Sequence, residues 1–246
     1  MKAKKSLGQN FLQDKSVLDK IIETADLTST DEIIEVGPGH GILTEELAKS
    51  AKKVTTIELD DRLIPNLKVI FALHDNIELI HQNALDFPPP STPYKLVANI
   101  PYYITSPLIS HFLHTPDRPT KIVLLVQKEV AEKICVDKKM NVLALHVQNF
   151  GKPQIIATVP PSAFRPSPKV DSAILEIDVY KKPIIQDHKA LFRLVHQAFS
   201  QSRKKLSNSL YQHKEALTEL DLQDKRAERL TLKDWEALLS IVDQHL

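Results

Sequence analysis

Short apolar runs alternate with stretches of helical spacing from residue 16 to about residue 180, the order expected of an α/β fold with a mostly parallel sheet. A helical stretch at 16–27 precedes a strand at Glu32–Val36. GILTEELAKSA then reads as a helix leading to a second strand, KVTTIEL (53–59), which completes a βαβ unit. Further strands are predicted at 77–82, 94–100, 120–126, 154–159 and 172–179, seven in all, with helices at 61–73, 106–114, 128–136 and 142–150. FPPPSTP (87–93) is a loop, because three successive prolines remove backbone donors and block a helix. From Asp187 the pattern changes to three helical stretches with no strand between them, HKALFRLVHQAFSQ, KLSNSLYQHKEALTEL and LKDWEALLSIVDQ. The expected division is therefore a domain over 1–183 and a small helical domain over 184–246, parted where Pro183 interrupts YKKPIIQD (180–187).

Composition narrows this picture. A hydrophobic content of 42% and a charged content of 26% over 246 residues suit an ordinary globular core. Cys135 is the single cysteine, which excludes an internal disulfide and any cysteine cluster for structural zinc. No metal is expected. No run of about 18 apolar residues occurs, and MKAKKSLGQNF turns polar too early for a secretory signal; the expectation is a soluble, cytoplasmic protein. The net charge of +1 carries no whole-chain argument for nucleic acid. Two local clusters do more: Lys2, Lys4 and Lys5, and Arg203, Lys204 and Lys205, could contact phosphates or could simply form solvated faces.

Candidate chemistry begins at the glycines. Only five occur in the chain, and Gly37, Gly39 and Gly41 fall together directly after the first strand of the βαβ unit. Glycines there permit a tight turn and let backbone N–H groups approach a ligand that a Cβ would hold away. Glu58 ends the next strand, about 20 residues later, where such folds place a carboxylate for ribose hydroxyls. The dinucleotide spacing G-x-G-x-x-G is absent. EVGPGHG followed by IELD resembles instead the first two motifs of class I methyltransferases, which implies S-adenosyl-L-methionine as cofactor. A glycine turn that serves only helix packing is the bland alternative.

Asn99-Ile100-Pro101-Tyr102 follows a strand whose carboxyl end faces the same cleft. These residue types suit methylation of an exocyclic adenine amine, whose lone pair is delocalised into the ring. Two acceptors can bind its N–H groups and turn the lone pair out: the Asn99 amide oxygen and the Ile100 carbonyl, the latter held by the rigid Pro101, while Tyr102 stacks on the base. A strand-ending turn with an incidental tyrosine is the alternative, and Tyr103 is read as packing.

With LGQNFL (7–12), IEVGPGHGILT (34–44), IELD (57–60), NIPYYITSP (99–107), LLVQKEVAEKI (124–134), PPSAFRPSPKVDSA (160–173) and FSQSRKKLSNSL (199–210) in this order, the chain resembles the ribosomal RNA adenine dimethyltransferases. The resemblance spans residue 4 to about 210. It implies a Rossmann-like class I methyltransferase domain with a seven-stranded, mostly parallel sheet and an all-helical C-terminal domain. It also implies N6,N6-dimethylation of two adjacent adenosines near the 3′ end of small-subunit ribosomal RNA, with that RNA or the immature subunit as partner. Asn10 and Leu12 would close over the cofactor, Gly37 would lie at its methionine end and Glu58 on its ribose. Asn99 would touch cofactor and target, and Phe164 would form the second face of the base stack opposite Tyr102.

Three features depart from the family. Asn83 stands where an aspartate usually accepts the cofactor's adenine amino group, and its amide oxygen can still accept. The segment at Met140–Ala144 is shortened, and the helical C-terminal part is brief. Two other functions compete: an adenine methyltransferase of large-subunit ribosomal RNA that confers macrolide resistance, and a non-catalytic RNA-binding assembly or transcription factor of the same fold.

Overall fold

The computed structural model describes residues 9–135 and 139–244, so Lys2, Lys4 and Lys5 lie outside the described residues. The order is β1 (Phe11–Leu12), α1 (Lys15–Ala25), β2 (Glu32–Val36), α2 (Ile42–Ala48), β3 (Lys53–Glu58), α3 (Ile64–Phe71), β4 (Ile77–His81) and β5 (Tyr94–Asn99). It continues through α4 (Thr105–His114), β6 (Lys121–Gln127), α5 (Lys128–Ile134), α6 (Val142–Phe150), β7 (Gly151–Val159), β8 (Phe164–Arg165) and β9 (Ser172–Val179). Four helices follow: α7 (His188–Phe199), α8 (Leu206–Ser209), α9 (Lys214–Glu219) and α10 (Leu232–Gln244).

The hydrophobic pattern explains the sheet. In β2, Ile33, Ile34, Glu35 and Val36 are all buried, as a central parallel strand covered on both faces requires. Strand order is β4-β3-β2-β5-β6-β9-β7, with β2 parallel to both β3 and β5, and β9 antiparallel to β6. The chain steps outward one way from β2 and the other way from β5, so the topological switch point lies between their carboxyl ends, where open α/β sheets bind ligands. Helix α1 buries Val17, Leu18, Ile21 and Ala25 along one face against this sheet's core. Asp14 starts it by accepting from the Ser16 and Val17 N–H groups.

All seven predicted strands form, with ends shifted by at most three residues, the largest shift being 154–159 against Gly151–Val159. Two strands were not predicted. β1 and β8 are two residues each and pair antiparallel, Leu12 opposite Phe164; elements so short carry no periodicity. The predicted helical stretch over KLSNSLYQHKEALTEL breaks into α8, a 3₁₀ turn at Tyr211–His213 and α9. The N–H groups of Leu206 and Ser207 bond the carbonyls of Lys225 and Gln223, and Leu210 leaves helical geometry with φ −123° and ψ 40°.

Two compact units emerge, Met1–Ala131 with Lys152–Val179, and Glu132–Gly151 with Tyr180–Leu246. The segment 132–151 thus groups with the C-terminal helices, although it lies inside the predicted 1–183 domain. Within this second unit the fully buried Asn149 bonds both backbone groups of Ile185, accepting at 2.8 Å and donating at 3.2 Å. Phe199 stacks on the buried Trp235, and the rings of His146 and Phe192 lie 3.6 Å apart.

Candidate active site

A cavity of about 260 Å³ opens at the switch point, lined from the ends of β2, β3, β4 and β5 and from residues 9–12. After β2 the chain turns through Gly37, Gly39 and Gly41, whose φ angles of +72°, +59° and +85° are left-handed. A Cβ on Gly39 would stand 2.9 Å from the Phe11 ring, so glycine there serves both the backbone turn and the close approach of the N-terminal segment. Phe11 also packs on His40, ring centroids 4.1 Å apart.

Glu58, only 6% exposed, ends β3. Its Oε1 accepts from the N–H groups of Leu59 (2.8 Å) and Asp60 (2.7 Å), and its carboxyl also takes the Gly39 N–H. Burial pushes its pKa up while these donors pull it back. A carboxylate has about four acceptor positions, so capacity remains toward the cavity. Glu35, buried at the end of β2 and lining the same cavity, accepts from Thr44 Oγ1 at 2.6 Å, and burial pushes its pKa up to about 7. Asp60 is opposite in character. The Arg62 guanidinium holds its carboxyl well below the usual carboxylate range.

Asn83 caps the 3₁₀ turn at Ala84–Asp86, its Oδ1 accepting from the Leu85 N–H at 3.1 Å. One acceptor position and the Nδ2 donor remain for a ligand. At the end of β5 the Asn99 Nδ2 donates to the Asn10 carbonyl at 3.2 Å, which leaves the amide oxygen as the open acceptor.

All seven predicted cofactor residues, Asn10, Leu12, Gly37, Gly39, Glu58, Asn83 and Asn99, line this one cavity. The NIPY residues divide. Asn99, at the end of β5, and Pro101 line the cavity while Ile100 and Tyr102 do not, and from the 3₁₀ turn Tyr102–Ile104 it is Tyr103 and Ile104 that reach it. Ile100 is 3% exposed, leaving only its backbone to serve the site. Tyr102 is half-buried with its hydroxyl 2.7 Å from Ser172 Oγ, whereas Tyr103, read from sequence as packing, is 59% exposed at the rim. Phe164 is also withheld. It is 1% exposed in the core cluster with Leu12, Leu18 and Ala163, because its pairing with Leu12 turns the ring inward.

Gln9, Phe11, Glu35, Pro38 and His40, to which the sequence assigned no role, also line the cavity, as does Tyr103. Their neighbours in the motifs were the available signal. In the second unit Arg203 and Lys204 are exposed, and Lys205 pairs with Asp224 at 2.7 Å. Among the described residues no group of three or more His, Cys, Asp or Glu could hold a metal ion, and no helix is long and apolar enough to cross a membrane.

The profile of the family described as "Ribosomal RNA adenine dimethylase" matches residues 1–244. The chain is 39% identical to a "Ribosomal RNA small subunit methyltransferase A" of Dehalococcoides mccartyi, covering 100% of this chain and 90% of that one. A protein of the same name from Bacillus pumilus is 37% identical, with 99% and 92% covered. Among solved structures, a dimethyladenosine transferase from Plasmodium falciparum superposes with a TM-score of 0.85 at 29% identity, covering 95% of this chain and 98% of that one. The 23S rRNA methyltransferase ErmE superposes with a TM-score of 0.78 at 29% identity, covering 96% and 100%.

Proposed function

Because the chain belongs to the ribosomal RNA adenine dimethylase family, we propose that it transfers methyl groups from S-adenosyl-L-methionine to N6 of two adjacent adenosines near the 3′ end of small-subunit ribosomal RNA. The observation that carries this reading is the amide of Asn99: its nitrogen is committed to Asn10, and its oxygen is left as an acceptor at the rim of the switch-point cavity.

The cavity residues fit the cofactor. The glycine turn admits a ligand against backbone, and buried Glu58 keeps acceptor capacity for a ribose hydroxyl. Ile42, Leu59 and Leu85 give apolar walls for a flat base. When bound, the sulfonium supplies an electrophilic methyl group. The protein's part is positioning. Asn99 Oδ1 and the Ile100 carbonyl accept the two amino hydrogens of the target adenine, which turns the nitrogen lone pair out of conjugation. No strong base is required, since the methylated nitrogen becomes acidic enough to shed its proton to solvent.

A stack of the target between Tyr102 and Phe164 requires the Phe164 ring to leave the core, so the assignment rests on Asn99 and Ile100 rather than on that stack. Tyr103 supplies exposed aromatic surface beside them. Arg203 and Lys204, with Lys205 once released from Asp224, contact RNA phosphates in this reading. The protein acts as a monomer in the cytoplasm.

The test is to incubate the protein with radiolabelled S-adenosylmethionine and small subunits lacking adenine dimethylation, with large-subunit RNA in parallel, and to map the labelled base by mass spectrometry. Adjacent dimethyladenosines near the small-subunit 3′ end are expected. Label on large-subunit RNA alone would instead favour an ErmE-like activity, and RNA binding with no label would favour a non-catalytic assembly factor.

A further inference from the structure

Residues 9–14 cross the cavity and are held at the ends of three of the four strands that build it, β2, β3 and β5. Gln9 Nε2 donates to Asp60 Oδ2 at 2.9 Å, beyond β3. The Asn10 carbonyl accepts from Asn99 Nδ2 at 3.2 Å, at the end of β5. The Phe11 ring lies on Gly39 and His40, after β2. The far side is fixed by the Leu12–Phe164 pairing and by the Gln13 N–H donating to the Ala163 carbonyl at 2.9 Å.

Asp60 is an unusual anchor. Its side chain is fully buried, yet it does not line the cavity. The Arg62 fork binds both carboxylate oxygens through Nε and Nη2, and the Arg62 N–H adds a third donor at 3.2 Å. A fixed, ionised carboxylate makes the bond from Gln9 charge-assisted, roughly twice as strong as one between neutral groups. Gln9 and Asn10 are consecutive, so fixing Gln9 also fixes the Asn10 carbonyl, and that carbonyl decides which way the Asn99 amide points.

We propose that Gln9 and Asp60 are positioning residues for Asn99: their bond holds the Asn10 carbonyl where it orients the Asn99 amide oxygen toward the target amine. This rests on the reading of Asn99 as the acceptor of that amine. The strap over the cofactor and the geometry of methyl transfer are then one device, so loosening the strap slows transfer even when cofactor and RNA are saturating.

The experiment measures single-turnover methylation for Gln9→Ala, Asn99→Ala and the double variant, with cofactor affinity by calorimetry and hydrogen exchange of the Asn99 side-chain amide by NMR in the cofactor-free protein. Gln9→Ala should lower the saturated rate about 10-fold, leave the KM for RNA unchanged and speed exchange of the Asn99 amide. In the Asn99→Ala background the same substitution should have no further effect on the rate. Gln9→Lys, which keeps a donor facing Asp60, should restore rate and exchange protection. Equal rate losses in both backgrounds, or unaltered amide exchange, would overturn the proposal. If Gln9→Ala speeds amide exchange but the unaltered protein methylates no RNA, the positioning stands and the substrate reading fails.

Discussion

The side-chain nitrogen of Asn99 donates to the main-chain carbonyl of Asn10 across 3.2 Å, joining positions 89 residues apart in sequence. An asparagine amide has a donor end and an acceptor end, so this one bond decides which end faces the cavity. Asn99→Ala should therefore lower the methylation rate about 100-fold or more, the scale on which losing one placed polar group at a reacting centre acts. RNA affinity should change little. Rapid-quench single turnover with filter binding checks both, and a variant that loses RNA affinity while keeping its rate would reject the assignment.

Gly39 carries a second prediction. With φ at +59° and the Phe11 ring 2.9 Å from a would-be Cβ, alanine there is strained in its backbone and pushes the strap outward. Gly39→Ala should cost about 1–2 kcal/mol of stability and weaken S-adenosylmethionine binding about 10-fold or more by opening the strap. Thermal melts and calorimetry measure the two effects, and undiminished cofactor affinity would show that Phe11 does not seal the site.

Glu35 predicts how stability depends on pH. Its folded pKa of about 7 lies above the ordinary 4.5 because burial disfavours the carboxylate. Between these values the folded state binds more protons than the unfolded state, so stability falls as pH rises through this window and levels off above it. Glu35→Gln should remove that slope, which is worth roughly 3 kcal/mol. Denaturant titrations from pH 4.5 to 8 on both proteins supply the comparison; parallel curves would mean that Glu35 ionises normally.

Tyr103 is the exposed aromatic at the cavity rim. Base stacking on an aromatic ring contributes about 1–3 kcal/mol by alanine substitution, so Tyr103→Ala should raise the KM for RNA about 5- to 150-fold with little change in rate at saturation. Tyr103→Phe and Tyr103→Trp should retain the original KM. Equal KM values in all four proteins would assign the ring to solvent.

Much of this is legible in the amino-acid sequence itself. Periodicity alone identified the seven strands and their helices, because each reports a choice of buried face made within a few residues. The glycine turn and Glu58 were readable too, since backbone freedom and a carboxylate at a strand end are local properties. So was Asn83, whose amide could be seen as an acceptor, although not that it spends part of that capacity on its own Leu85 N–H.

Folding in three dimensions settled what local rules leave open. Whether Tyr102 or Tyr103 faces the cavity depends on how the 3₁₀ turn Tyr102–Ile104 is set against the end of β5. Phe164 is buried because it pairs with Leu12, a partner 152 positions earlier whose two-residue strand has no pattern of its own. The grouping of 132–151 with the C-terminal helices and the span from Gln9 to Asp60 arise in the same way. Propensity and hydrophobic period fix which face of an element is buried, whereas contacts between distant segments are selected by the packing of the whole core, to which no short stretch of chain gives access.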